Sequence, residues 1–456
     1  MSLKFDIEQS TWRSWSQTFD RSALHDSAIS CSQKEKVDEA PWPPSLSPSE
    51  VAYHLHARED FPDGGLRAWL VVLGGSCAAF ATFGYVNAFG VFQDYYQNTL
   101  LKGTSPSTIA WIGSTQYALV FFPGLVIGRL FDIGYLHVPV ILASIILVLC
   151  TFLIAECHEF WHFFLCQGFG VGISSGVIFG PVMSVIAHWF KTRRSTALGI
   201  VAFASSVGGT VFPVAFRNLH MAVGFKWAMR IIAFILMFVL GIVNLTMRRR
   251  LPPVVISGGL FNPKQFKSPA YSVYTAACFA AFLGLYTVLT FIDASAPSQG
   301  VPPHLASYLV AIANAGSAVS RLSSGFIADR IGAMTVMTPA VFLAGLLTFL
   351  WPHVRGTGAL VPLALLYGAS SGSFAGLIGA PMIAFGDSAD VGRRMGMCFT
   401  ILSLGALAGP PISGAIAHST GGYSAVGIYA GSSVMVAMML LALSRYFVLR
   451  RWRGKV

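Results

Sequence analysis

From Ala68 onward the chain alternates long apolar runs with short polar or basic breaks. A helix needs about 20 apolar residues to cross the hydrocarbon core of a bilayer. Twelve segments reach that length: 68–92, 108–131, 136–156, 161–188, 195–216, 226–247, 270–292, 305–328, 333–351, 359–385, 395–418 and 423–447. The pattern predicts an all-α membrane protein with 12 transmembrane helices. The first sixty residues differ. They are polar and Ser-rich, run into Pro41-Trp42-Pro43-Pro44, and read as a disordered tail.

Composition agrees with the pattern. Apolar residues make up 54% of the 456 residues and charged residues 11%, against about 25% in soluble domains. The net charge of +11 therefore argues for no nucleic-acid partner; its placement is what matters. With both termini on one side, that side receives seventeen Lys and Arg, in runs such as Lys191-Thr-Arg193-Arg194, Arg248–Arg250 and Arg393-Arg394. The other side holds Lys102, Arg217, Lys226 and Arg355. The positive-inside rule then puts both termini in the cytosol. Asn244-Leu-Thr246 matches a glycosylation sequon but falls at a cytosolic helix end, so it is expected to stay unmodified. The seven cysteines have no paired spacing, and neither a metal site nor a disulfide framework is expected. No N-terminal run reads as a cleavable signal.

The halves repeat. Gly128-Arg-Leu-Phe-Asp132, after the second span, recurs as Gly325-Phe-Ile-Ala-Asp329-Arg330 after the eighth. Ser174-Ser175-Gly176 recurs as Ser370-Ser371-Gly372, and Arg193-Arg194 as Arg393-Arg394. The offsets lie within a few residues of one another. Two pseudo-symmetric six-helix bundles are therefore predicted, at 62–247 and 270–447. A cytosolic tail (1–61), a linker (248–269) and a basic C-tail (448–456) complete the division. Parallel halves of this kind resemble the major facilitator fold, with a binding site between them near the bilayer midplane.

Gly325-x-x-x-Asp329-Arg330-x-Gly332 is similar to the intracellular gating motif of major facilitator transporters. Glycine lets helices approach closely, and a carboxylate can meet a neighbouring helix N-terminus. The first copy is weaker, because Ile133 follows Asp132 where the motif has a basic residue. A tight turn with snorkelling charges is the alternative reading of both. Two further segments narrow the resemblance. Pro62-Asp63-Gly64-Gly65 with Ala68-Trp69 opens the first span, and Trp189-Phe-Lys-Thr-Arg-Arg-Ser-Thr-Ala-Leu-Gly-Ile-Val-Ala202 opens the fifth. Together they resemble the signature segments of the monocarboxylate porter family, in its fungal branch, from Pro62 to the C-terminus. That likeness implies a proton-linked or facilitative carrier of monocarboxylates, vitamins or secondary metabolites. On the residues alone, Asp63 would favour its own helix N-terminus, and Lys191, Arg193 and Arg194 would fix the fifth span at the headgroups.

The resemblance also marks departures. The family's first-span lysine falls on Asn87 and its eighth-span aspartate on Ser317, whereas Arg321 matches the family's arginine. A guanidinium inside the eighth span costs several kcal/mol unless it is paired or reached by water. Eleven of the nineteen Asp and Glu lie at or before Asp63, and the others fall at helix ends or in loops. An anionic ligand is the partner this arrangement predicts. Asn87, Gln116, Tyr117 and Asn314 are the expected substrate contacts, with Tyr286, Tyr367 and Ser371 as further cavity candidates; hydrogen bonding between helices is the alternative reading of each. Asp132, Gly325, Asp329 and Arg330 are the gate, and Asp293 is the substitute proton site. Many aromatics (Phe80, Phe83, Tyr85 and Phe89 on the first span) suit a larger amphipathic anion.

The expected function is secondary transport by alternating access, most simply export of an organic acid or amphipathic secondary metabolite across the plasma membrane. Uptake of a monocarboxylate or vitamin-like anion is the second reading. A non-transporting membrane sensor is the third. An enzyme is not expected, since no His-Glu-x-x-His, nucleophile–base pair or intramembrane carboxylate pair occurs. No cofactor or ATP site is expected, and the partners would be the small-molecule substrate and membrane lipid around a monomer.

Overall fold

The computed structural model describes residues 61–251, 259–306, 308–386, 390–450 and 454. The Ser-rich tail and part of the 248–269 linker lie outside the described residues. What is described is all helical. Eleven rods follow one another: α1 Gly65–Leu100, α2 Thr108–Ile133, α3 His137–Ile154, α4 Phe160–Trp189, α5 Arg194–Thr246, α6 Pro269–Gln299, α7 Leu309–Ile331, α8 Ala333–His353, α9 Thr357–Ala384, α10 Val391–Thr420 and α11 Ser424–Leu449. All but α7, ten in total, are long and apolar enough to cross a membrane by length and composition.

Two of these rods depart from the hydropathy pattern. The fifth and sixth predicted spans are two helices that follow one another within Arg194–Thr246, meeting directly at a kink where Gly224 takes φ 79°. We call these arms α5a and α5b. A positive φ is cheap only for glycine, so Gly224 makes the reversal that the pattern assigned to a longer loop. The other departure is α7, which is 23 residues long but carries Asn314, Ser317, Ser320, Arg321, Ser323 and Ser324. Those residues lower its hydropathy, and Ser317, Ser320 and Ser324 are buried against neighbouring helices.

The packing follows membrane rather than aqueous logic. Along α3 the buried face is Val140, Ala143, Ser144, Leu147, Thr151 and Ile154. The exposed face is Val138, Ile141, Leu142, Ile145, Ile146 and Leu149. The outward face is large aliphatics, where lipid would lie, and the inward face mixes aliphatics with the small and hydroxylated Ala143, Ser144 and Thr151. Ser144 and Thr151 satisfy their hydroxyls on the carbonyls of Val140 and Leu147 one turn back. The sequon residue Asn244 is engaged in the same way, its amide donating to Ser144 Oγ (3.1 Å) and Leu240 O (2.8 Å).

Glycines set the closest helix crossings. A Cβ on Gly84 of α1 would stand 2.7 Å from Gly208 Cα of α5a. One on Gly176 of α4 would stand 2.6 Å from Leu119 O of α2, and one on Gly372 of α9 would stand 2.6 Å from Ser317 Oγ of α7. The last two are the repeated Ser-Ser-Gly segments, so the repeat is a repeat of packing contacts. Gly405 and Gly409 of α10 bring that helix against the carbonyls of Phe279 and Leu283 on α6.

Candidate functional site

At the arginine-rich end of the helices, two crossings are built alike. The first free amides of a helix have no intrahelical acceptor. Asp329 of α7 takes two of them from α5a, accepting from Ser195 N at Oδ1 and Thr196 N at Oδ2, both at 2.8 Å. Asp132 of α2 does the same for α10, accepting from Gly392 N (2.9 Å) and Arg393 N (2.7 Å). In each case the acceptors engage the second and third residues of the helix. Each carboxylate sits one turn from a glycine without which the crossing could not form. A Cβ on Gly325 would stand 2.6 Å from Ser195 O, and one on Gly128 would stand 2.0 Å from Gly392 O. The weaker first copy of the motif thus makes the same bonds as the second. Arg330, expected in the gate, adds no side-chain bond to the crossing among the described residues.

Basic side chains brace these crossings. Arg249 donates to Phe131 O and to Asp132 O (3.1 Å), with its guanidinium 5.2 Å from the Phe131 ring. Arg393 pairs with Asp390 at 2.7 Å. Arg394 is buried and donates to Met382 O at 2.7 Å. The Arg249 contacts escape sequence reading because their acceptors are backbone carbonyls more than a hundred residues away.

Asp63 is a correction. It does not serve its own helix. Its Oδ1 accepts from Lys191 N (2.6 Å), Thr192 N (2.8 Å) and Arg193 N (3.5 Å), and its own amide donates to Trp189 O at 3.2 Å. The turn before α5 offers three amides to the one carboxylate, while the start of its own helix lies only two residues on. The two signature segments therefore pair because they bond to each other. Trp69 packs edge-on against Phe190 at 5.5 Å and completes the joint. Asp63 holds φ 45°, an uncommon value for a non-glycine residue. Burial raises its carboxyl pKa, but the bonds from Lys191, Thr192 and Arg193 outweigh it and leave the pKa below the ordinary value. A depressed folded pKa gives a stabilisation that is present above the ordinary carboxylate range and lost as pH falls through the lowered value. Asp63→Asn is expected to lower thermal stability at neutral pH by about 1–2 kcal/mol. The gap between variant and wild type should close on acidification; a gap constant down to pH 3 would remove the carboxylate from this role.

The middle of the molecule holds most of the predicted substrate residues. Arg321 is half-buried on α7. Its Nη1 donates to Ala202 O of α5a at 2.9 Å and to Ser205 Oγ. Its Nε is buried with no acceptor. No carboxylate pairs with it among the described residues. The side chain leans on Gly376 of α9, where an added Cβ would come 3.3 Å from its Cγ. Arg321 is thus partly engaged by a neighbouring helix, which the sequence expectation of a ligand alone did not include. Ser317, at the position of the family's aspartate, faces Ser206 of α5a at 3.4 Å.

Asn87 and Asn314 flank Gly209: a Cβ there would lie 3.4 Å from Asn87 Cβ and 3.7 Å from Asn314 Nδ2. The structure brings these two candidates together. Gln116 is fully buried, and neither its amide nitrogen nor its oxygen has a partner. Tyr117 also has an unpartnered buried hydroxyl. Its ring meets Tyr286 of α6 edge-on at 4.9 Å, and both tyrosines lie within electrostatic reach of Arg321. Phe121 continues this aromatic layer to Phe282 (5.2 Å), Phe399 (5.8 Å) and Phe83 (5.3 Å).

Tyr367 and Ser371 both spend their hydroxyls on backbone carbonyls. The Tyr367 hydroxyl donates to Leu285 O and so joins α9 to α6, whereas Ser371 donates to Tyr367 O (2.8 Å) one turn back in its own helix. Asp293 lies apart, toward the opposite end of α6. It is half-buried with one carboxylate oxygen unpartnered, and Arg217 is in electrostatic reach. A solvated helix end is therefore not its environment.

Gln116 offers a clean test of what the unpaired amide is for. A buried polar group without a partner costs about 1–3 kcal/mol. Gln116→Leu should therefore leave thermal stability unchanged or raise it, while lowering transport several-fold. Loss of both together would make Gln116 a packing residue.

Comparison with known proteins bears on the whole chain. A profile of the Major Facilitator Superfamily matches residues 71–389 and 274–453. An MFS-type transporter of Ophiocordyceps sp. is 37% identical over 90% of this chain and 91% of its own. An aspyridones efflux protein of Emericella nidulans is 38% identical over 84% of this chain and 78% of its own. A fujikurins efflux protein of Gibberella fujikuroi is 34% identical over 84% and 83%. Among solved structures, the human organic anion transporter MFSD10 superposes with a TM-score of 0.64 at 17% identity, over 82% of this chain and 98% of that one. The outward conformation of FucP gives 0.61 at 13% identity, over 82% and 98%. With its helical spans, its glycine crossings and relatives of this identity along most of its length, the chain is a multi-pass membrane transporter, not an enzyme, and belongs to the major facilitator superfamily.

Proposed function

We propose that the protein exports an amphipathic organic acid, a secondary metabolite, by alternating access. One observation carries this reading. Arg321 stands in the middle of the molecule with no carboxylate partner, beside unpaired polar groups and a layer of aromatic rings. A guanidinium offers planar, bidentate recognition of a carboxylate. Asn87, Gln116, Tyr117 and Asn314 supply the remaining polar contacts. The aromatic layer matches a large apolar body. The names of the Emericella and Gibberella relatives support export of metabolites.

The finer architecture belongs to the same proposal. Counting α7 and the two arms of α5 gives twelve spans, divided into six-helix bundles at 62–247 and 270–447. The arginine-rich end faces the cytosol with both termini, in the plasma membrane, and the transporter works as a monomer. It is of the monocarboxylate porter type, which the Asp63 joint between the two signature segments supports. Asp132 and Asp329, with Gly128 and Gly325, form the cytosolic gate. With their caps made, the cytosolic side is shut.

A second reading has one observation in its favour. The unpartnered oxygen of Asp293 suits a proton carrier, and with it proton-linked movement of a monocarboxylate. Both readings are tested by flux in inside-out vesicles across a panel of amphipathic acids and their neutral esters, with and without an imposed pH gradient. Accumulation of acids but not esters is expected. Equal flux of both, or flux of small monocarboxylates alone, would overturn the first reading. Dependence on the gradient that disappears in Asp293→Asn would establish the second.

A further inference from the structure

A recess of about 290 Å³ opens beside one gate crossing and not in the central layer. Trp69, Arg193, Thr196 and Ile200 line it from one half, and Phe326, Asp329 and Arg330 from the other. Its charges are unbalanced. Both oxygens of Asp329 are taken up by the amides of Ser195 and Thr196. The guanidinium groups of Arg193 and Arg330 make no hydrogen bond or ion pair among the described residues, and both residues are exposed. Two uncommitted cations therefore face one recess whose other walls are the apolar Trp69, Ile200 and Phe326. Phe326 is 52% exposed and Trp69 37%, which carries the apolar lining onto the outer surface of the helices.

We propose that this recess binds the headgroup of an anionic phospholipid of the inner leaflet. The inference rests on the orientation given above, with this end at the cytosolic surface. Arginine pairs with phosphate through a planar fork, and juxtamembrane basic groups attract anionic lipid. The acyl chains leave past Phe326 and Trp69 into the bilayer. A soluble anion would use the arginines but leave the apolar walls wet. Because the lining comes from both halves, the site is complete only while Asp329 caps α5a. A ligand that binds one of two states shifts the population toward it. The lipid thus holds the cytosolic side shut and resets the carrier after release of cargo.

The test is lipid retention by the full-length purified protein, read by native mass spectrometry after titration with phosphatidylserine or phosphatidylcholine. Wild type is expected to keep phosphatidylserine in at least tenfold preference. Arg193→Gln/Arg330→Gln should erase the preference. Ile200→Trp, which fills the recess and leaves both cations in place, should erase it as well. Asp132→Asn, which touches no lining residue and weakens closure at the other crossing, should reduce it. Retention at the wild-type ratio in both recess variants would overturn the site, and displacement of the lipid by inorganic phosphate would overturn the lipid assignment. The readout needs no transport, so failure of the export reading would leave it intact.

Discussion

Gly128→Val should abolish transport while the protein still inserts and purifies as a folded species. A Cβ at this position would stand 2.0 Å from the carbonyl oxygen of Gly392 and 2.6 Å from its carbon. Both are backbone atoms and cannot swing aside. Closure would require α2 and α10 to separate by more than an ångström, and the bonds from Gly392 N and Arg393 N to Asp132 would go with it. Hydrogen bonds to a charged group contribute about 1.5–3 kcal/mol each. Losing two shifts the equilibrium between the closed and open states of this crossing by a factor of about 100 or more. The open side is measured by labelling a cysteine placed on the cytosolic part of α10 in sealed membranes. Labelling should rise and flux vanish together. Gly325→Val should do the same through Ser195 O, and Asp132→Asn should give a milder version, since an amide still accepts one bond. Wild-type flux in Gly128→Val would mean that the crossing is not part of the cycle.

How far this device could be read beforehand depends on where each contact's partner lies. Hydropathy located the apolar rods because lipid imposes length and polarity on every spanning helix. It misjudged the join at Gly224, where one positive φ does the work of a loop. The repeat of Gly128-x-x-x-Asp132 at Gly325-x-x-x-Asp329 was visible as spelling. The donating partners were not: amides at 195–196 and 392–393 carry no side-chain signature. Asp63 shows the same limit more sharply. Its local setting suggested a cap on the helix beginning two residues on, yet its acceptor oxygen serves amides 128–130 positions away. The candidates around Arg321 divide in the same way. Gln116 and Tyr117 were chosen as buried polar residues and remain unpartnered. Tyr367, chosen on the same ground, found a carbonyl on another helix that only the fold supplies, while Ser371 found one a turn back in its own helix.

Arg321 also differs from its counterpart at the other crossing. Gly124 of α2 meets Gly396 of α10, where an added Cβ on Gly124 would lie 3.3 Å from Gly396 O. At the corresponding point, Gly199 of α5a meets Arg321 of α7, with a Cβ on Gly199 placed 2.6 Å from Arg321 O. One crossing carries two glycines and the other a glycine and a guanidinium, so the charge enters from a position where backbone contact alone would suffice. It is tied there to Ala202 O and Ser205 Oγ. Arg321→Gln should therefore reduce export of amphipathic acids by about 10- to 100-fold, the loss expected for one charge-assisted contact of about 1.5–3 kcal/mol. Any flux of the corresponding neutral esters should be left within about threefold of wild type. Arg321→Lys should recover only part of the acid flux, because an ammonium keeps the charge but not the fork. Ser205→Ala separates the two duties of the residue. It removes one tie and no charge, so acid affinity should hold or improve as a competing acceptor disappears. Equal loss of acid and ester flux in Arg321→Gln, with Ser205→Ala equally impaired, would make the guanidinium a fastener between α5a and α7. The anionic cargo would then have to be sought elsewhere in the aromatic layer.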